Sequence, residues 1–136
     1  MKFNDLQTVT DKNKGYITGQ FEGVFHKAPF EVAVKKYKKG EYNPCHCHSY
    51  TNEINVILQG KAMMQCDNDK SSVILFPGDI LKVEKNEWFD FMALEDTTML
   101  VIKDTAIGEK YTKDSKYSEE TVKYLKHLGI DVDKIV

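Results

Sequence analysis

The feature that most limits the fold is a succession of short β-rich runs, each stopped by a turn signal before it can grow long. Phe30, Val32 and Val34 alternate with Glu31, Ala33 and Lys35, the two-residue period of a half-buried strand. Ile54, Val56 and Leu58 alternate with Glu53, Asn55 and Ile57, which predicts a strand with both faces partly covered. Runs at 61–66, 73–76, 80–83, 88–92 and 98–102 follow, with Asp67-Asn68-Asp69 read as a hairpin turn and Pro77-Gly78-Asp79 as a break. Such a series predicts an all-β sandwich or barrel and argues against alternating β and α units. The two ends differ. Residues 1–14 are polar, with Phe3 and Leu6 as the anchors of a short arm or helical turn, and 15–25 scatter apolar residues among glycines, as in a bent or bulged strand. Near the other end Ser118 is a good N-cap, Glu119 and Glu120 suit a first turn, and Val122, Leu125 and Leu128 recur before Gly129. One amphipathic helix over 118–128, packed outside the barrel, is predicted.

At 136 residues the chain reads as one domain, 1–136, with a barrel core of about 15–104. A net charge of −2 indicates neither disorder nor a nucleic-acid footprint. All nineteen basic residues are lysines, so no guanidinium fork can clamp a phosphate or carboxylate, and such groups would meet point charges instead. That weighs against a nucleotide-sugar substrate. No apolar run approaches bilayer length and no charged-then-apolar leader follows Met1, so no membrane role is expected. Cys45, Cys47 and Cys66 are odd in number, and the first two are too close to bridge easily on a strand; a reduced, cytoplasmic setting is the expectation.

The stretch 40–60, GEYNPCHCHSYTNEINVILQG, carries the chemistry. His46 and His48 lie two residues apart, so on a strand their imidazoles project side by side. Glu53 has the wrong parity for the same uninterrupted strand, but the turn-like Ser49-Tyr50-Thr51-Asn52 can reset the face. Two imidazoles and a carboxylate suit zinc, iron, manganese, nickel or copper. A bare His-x-His serves equally well as polar positions on a strand edge, so the flanks decide. Gly40, five residues, His46-x-His48, four residues, Glu53, six residues and Gly60 resemble the first signature motif of the cupins, G-x5-H-x-H-x(3,4)-E-x6-G, at all five fixed positions. The resemblance implies a double-stranded β-helix barrel, or jelly roll, with His46, His48 and Glu53 holding a divalent transition metal (Fe, Mn, Zn or Ni) inside it. By analogy it also implies a homodimer, for which an apolar outer face on the first strand or the C-terminal helix is the physical prerequisite.

The second cupin motif, G-x5-P-x-G-x2-H-x3-N, matches in outline only. Gly78 anchors it, but Glu84, Asn86, Phe89 and Ala93 stand at its proline, glycine, histidine and asparagine positions. Asn86 can replace a glycine because Asn tolerates the left-handed conformation. Phe89 cannot replace a ligand. The site is then a three-ligand one, leaving three open positions on an octahedral ion or one on zinc, or it binds no metal. Asp90 should point away from it, and His26 and His127 are expected at the surface. Cys45 and Cys47 should face away from the imidazoles and serve packing. If the cupin register holds, Phe89 and Phe91, with Met64 and Ile57, wall an apolar cavity, and Asn55 and Gln65 are candidates for polar contacts.

The function expected first is a divalent-metal-binding cupin that acts on or binds a small molecule. With no nucleophile paired to a base, any catalysis would come chiefly from the ion. The alternatives are a non-catalytic cupin that binds a sugar or carboxylate and, ranked last, a cupin-type sugar-nucleotide isomerase or epimerase.

Overall fold

The computed structural model describes residues 1–66 and 71–133. In chain order the elements are α1 (Leu6–Lys12), β1 (Tyr16–Gly19), β2 (His26–Lys27), β3 (Glu31–Tyr37), β4 (Tyr42–Cys47), β5 (Glu53–Gln59) and β6 (Ala62–Cys66). There follow β7 (Ser71–Leu75), β8 (Ile80–Val83), β9 (Phe89–Ala93), β10 (Thr97–Lys103), β11 (Tyr111–Thr112) and α2 (Glu119–His127). The strands make a six-stranded sheet, β2-β1-β3-β10-β5-β8, and a five-stranded sheet, β11-β4-β9-β6-β7. This is the expected double-stranded β-helix with a short C-terminal helix. The hairpin expected at Asp67-Asn68-Asp69 lies outside the described residues.

Strand register decides which side chains enter the barrel, because directly paired residues share a face. Across β3, β10 and β5 the inner rows read Glu31–Lys103–Glu53, Ala33–Val101–Asn55 and Lys35–Met99–Ile57. The outer rows read Val32–Ile102–Ile54 and Val34–Leu100–Val56, continuing to Ile80 on β8. The aliphatic set of β3 and β5 therefore faces outward, while the set that carries Glu, Lys and Asn faces inward. Below the inner polar rows, Ile57, Met64, Leu75, Phe91 and Met99 fill the barrel.

The outer face of the five-stranded sheet is covered by the chain itself. Met63, Met92 and Leu94 pack against Leu125 of α2 and against Ile130 and Val132 beyond it. Ser118 caps α2 as expected, its hydroxyl accepting the Thr121 N–H at 3.1 Å. The helix thus spends its apolar face within the chain. The apolar outer face left open is that of the six-stranded sheet, where Ile54, Leu58 and Ile80 are exposed.

Two left-handed positions fix the turns that frame the site. Gly60 has φ +91°, and a Cβ there would run into the Asp96 carbonyl and Thr97. Asn86 takes φ +67°, the role expected for it in place of glycine, and its N–H donates to the His48 carbonyl at 2.8 Å. The second motif thereby holds the first in place, although it contributes no ligand. Among the described residues no helix is long and apolar enough to cross a membrane.

Candidate metal and ligand site

His46 sits on β4, where an irregularity between Asn43 and His46 shifts the register so that His46 pairs directly with Phe89. His48 lies just past the end of β4, and Glu53 opens β5 after the intervening turn. All three line one cavity of about 250 Å³, together with Asn55, Met64, Phe89 and Phe91. The two imidazoles stand 5.4 Å apart, ring centre to ring centre, and nearly perpendicular at 83°.

Both imidazoles are oriented by the backbone. The His46 Nδ1 lies 2.7 Å from the Pro44 carbonyl and the His48 Nδ1 lies 3.1 Å from the Glu109 carbonyl. A carbonyl only accepts, so each Nδ1 carries a proton, which leaves Nε2 as the nitrogen a metal would take. Burial pushes the His46 pKa down to about 4; its bond to Pro44 opposes this, and the charges of Lys110, His48 and Lys103 reinforce it. His46 is therefore neutral at pH 7 and available as a ligand.

Glu53 is only 6 % exposed and accepts a hydrogen bond from the Asn55 amide at 3.2 Å. Its other neighbour is a lysine. The Lys103 Nζ lies 3.8 Å from the carboxylates of both Glu53 and Glu31, the arrangement dictated by their shared inner row. Burial pulls the Lys103 pKa down, but Tyr16, Glu53 and Glu31 together outweigh it and raise it above the ordinary lysine value. Burial raises the Glu31 pKa, and Lys103 is the largest influence opposing that rise.

The donor chemistry fits a divalent ion: two imidazoles, each bonded to a backbone carbonyl through Nδ1, and a buried carboxylate on one cavity. The three do not converge, however. Among the described residues no three His, Cys, Asp or Glu side chains are grouped closely enough to hold an ion. Glu53 is engaged with Lys103, and the Phe89 ring, 4.2 Å from that of His46, stands where the family's further histidine would be. An ion held here would have to compete with Lys103 for Glu53.

Other expectations fare differently. Ile57 does not line the cavity; it is fully buried in the barrel filling beneath, one row deeper than Asn55. Gln65 faces the other way, donating to Asp90 at 3.1 Å and to the Lys116 carbonyl at 2.8 Å. Asp90 points away from the cavity as expected, and His26 is exposed on β2. Cys45 and Cys47 are buried outside the cavity, their thiols pushed up by burial. Sequence reasoning missed Tyr16, Lys35, Tyr37, Lys103 and Lys110, all of which line the cavity. The available signal was parity: Lys103 continues the two-residue series Met99, Val101, and Lys35 continues Ala33.

A family model described as the cupin domain matches residues 33–103. No curated protein matches the chain. Among solved structures it is similar to a cupin-like protein from Thermotoga maritima, at 19% identity over 81% of this chain and 80% of that one, with a TM-score of 0.61. A structure of DMSP lyases is similar at 17% identity over 73% of this chain and 51% of that one, with a TM-score of 0.60. KdgF from Halomonas sp. is similar at 19% identity over 57% and 72%, with a TM-score of 0.51. At such identities the likeness carries the fold, and the differing names show how varied the proteins on this barrel are. With more than half of its residues matched by the family model, and with the first signature motif complete from Gly40 to Gly60, the chain belongs to the cupin family.

Proposed function

We propose that this cupin binds a small molecule in its barrel cavity, beside a divalent transition metal (Fe, Mn, Zn or Ni) held by His46, His48 and Glu53. The observation that carries the reading is the pair of imidazoles, each with Nδ1 committed to a backbone carbonyl and both lining the cavity. Once bound, the ion supplies Lewis acidity or an oxygen-activating centre. The protein's own side chains orient the donors: Asn55 fixes the Glu53 carboxylate, while Phe89, Phe91 and Met64 keep water from one wall.

The test is metal analysis of the purified, untagged protein beside a His46→Ala, His48→Ala double variant. Roughly one equivalent of a transition metal, lost in the double variant, is the expected result. No metal in either after reconstitution refutes the metal part and leaves a ligand-binding barrel whose histidines touch the ligand directly.

The open outer face of the six-stranded sheet supports pairing with a second copy. Its aliphatic rows, with Lys36 and Lys82 at their margins, would be covered in a two-fold contact. Light scattering should find a dimer that Ile80→Lys converts to a monomer; a monomeric wild type refutes the pairing.

A further inference from the structure

We infer that the ligand of this cavity is a small organic anion whose negative group is held among Lys35, Lys103 and Lys110. The inference rests on the reading that the cavity is the ligand site, and it names the class of ligand. The charged side chains lining the cavity are three ammonium groups against the single carboxylate of Glu53.

The lysines are positioned and, in two cases, unneutralised. Lys103 is shared between Glu31 and Glu53. Among the described residues, neither Lys35 nor Lys110 has a carboxylate within 4 Å. Lys35 instead donates to the Lys14 carbonyl at 2.6 Å and lies 4.1 Å above the centre of the Tyr16 ring, while Lys103 lies 5.8 Å from the same centre. Two ammonium groups thus flank one aromatic ring at the edge of a half-buried cavity. Like charges held together away from water are costly until an opposite charge joins them. The strain is visible in Lys35, whose pKa falls to about 8 through burial first and the charge of Lys103 second.

The remaining lining describes the rest of the ligand. Met64, Phe89, Phe91, Met99 and Val101 give an apolar floor, and Asn43 and Tyr37 give hydrogen-bonding groups above it. At about 250 Å³ the space lies below the range of drug-sized pockets, so the ligand is short. Lysine ammonium groups recognise a carboxylate and a phosphate alike, as point charges without the planar preference of arginine.

The experiment titrates the full-length, ¹⁵N-labelled protein, freed of metal by a chelating resin, with glucuronate, glucose 6-phosphate and uncharged glucose. The expected result is that at least one anion moves the amide resonances of His48, Lys103 and Lys110 whereas glucose does not. Whichever anion binds tighter identifies the negative group. Lys110→Gln, an exposed position that folding tolerates, and Lys35→Met should each weaken that anion about tenfold, the scale of a lost charge-assisted contact. Two outcomes overturn the inference: no movement of cavity resonances with either anion, or equal binding of glucose. Metal analysis of the same preparation keeps the two readings apart. A stoichiometric ion lost with His46 and His48, without preference for anions, leaves the proposed function standing while this inference fails.

Discussion

Replacing Lys103 with methionine keeps an unbranched apolar stem, one atom shorter, and removes the charge that Glu31 and Glu53 share. At 3.8 Å and an effective dielectric constant of about 20, each ion pair is worth about 4 kcal/mol before desolvation. Most of that is cancelled by taking the charges out of water, but removing one partner strands the other carboxylates, at about 3 kcal/mol. For a chain of this size that is a fall in melting temperature of about 10 °C. The loss should depend on pH. Burial already raises the Glu31 pKa, and the variant loses the main influence opposing it. A carboxyl whose folded pKa is raised contributes stability below its unfolded pKa and loses it as pH rises through the folded one. The variant should therefore lie closest to wild type near pH 5 and be most destabilised at pH 7.5 and above. It should also gain more from added Zn²⁺ or Mn²⁺ than wild type does, since Lys103 no longer competes for Glu53. Thermal melts at both pH values, with and without metal, read all three effects. An equal loss at both pH values with no extra metal stabilisation would refute the reasoning, because Lys103 would then act through packing alone.

The other expectations concern the second motif, the frame and the helix. Phe89→His places an imidazole directly opposite His46 and should tighten divalent-metal binding by at least about tenfold in competition titrations, while lost apolar burial costs about 1–2 kcal/mol. Gly60→Ala forces a Cβ into the Asp96 carbonyl at a left-handed φ and should cost about 2 kcal/mol or more in denaturant unfolding. Leu125→Ala empties the contact between α2 and the five-stranded sheet; it should lower stability by about 3 kcal/mol in the same assay and leave metal content unchanged.

What the sequence determined by itself is local. Alternation over two residues and the turn residues between runs are properties of neighbouring positions, and they yield the all-β class, the capped helix and the left-handed Asn86. The same locality made the complete first motif and the loss of its distant partner at Phe89 readable, along with three donors that share one interior only if the turn before Glu53 resets the strand face. The tertiary structure alone decided which set of side chains the barrel encloses. On β3 and β5 alternation marks two faces without saying which is inside, and the face carrying Glu31, Lys35, Glu53 and Asn55 proved to be the inner one. It also decided that Lys103 stands between two carboxylates and that three lysines meet one cavity. Those neighbours come from cross-strand register between segments far apart in the chain, and register is settled by the packing of both sheets together, not by the residues beside each lysine.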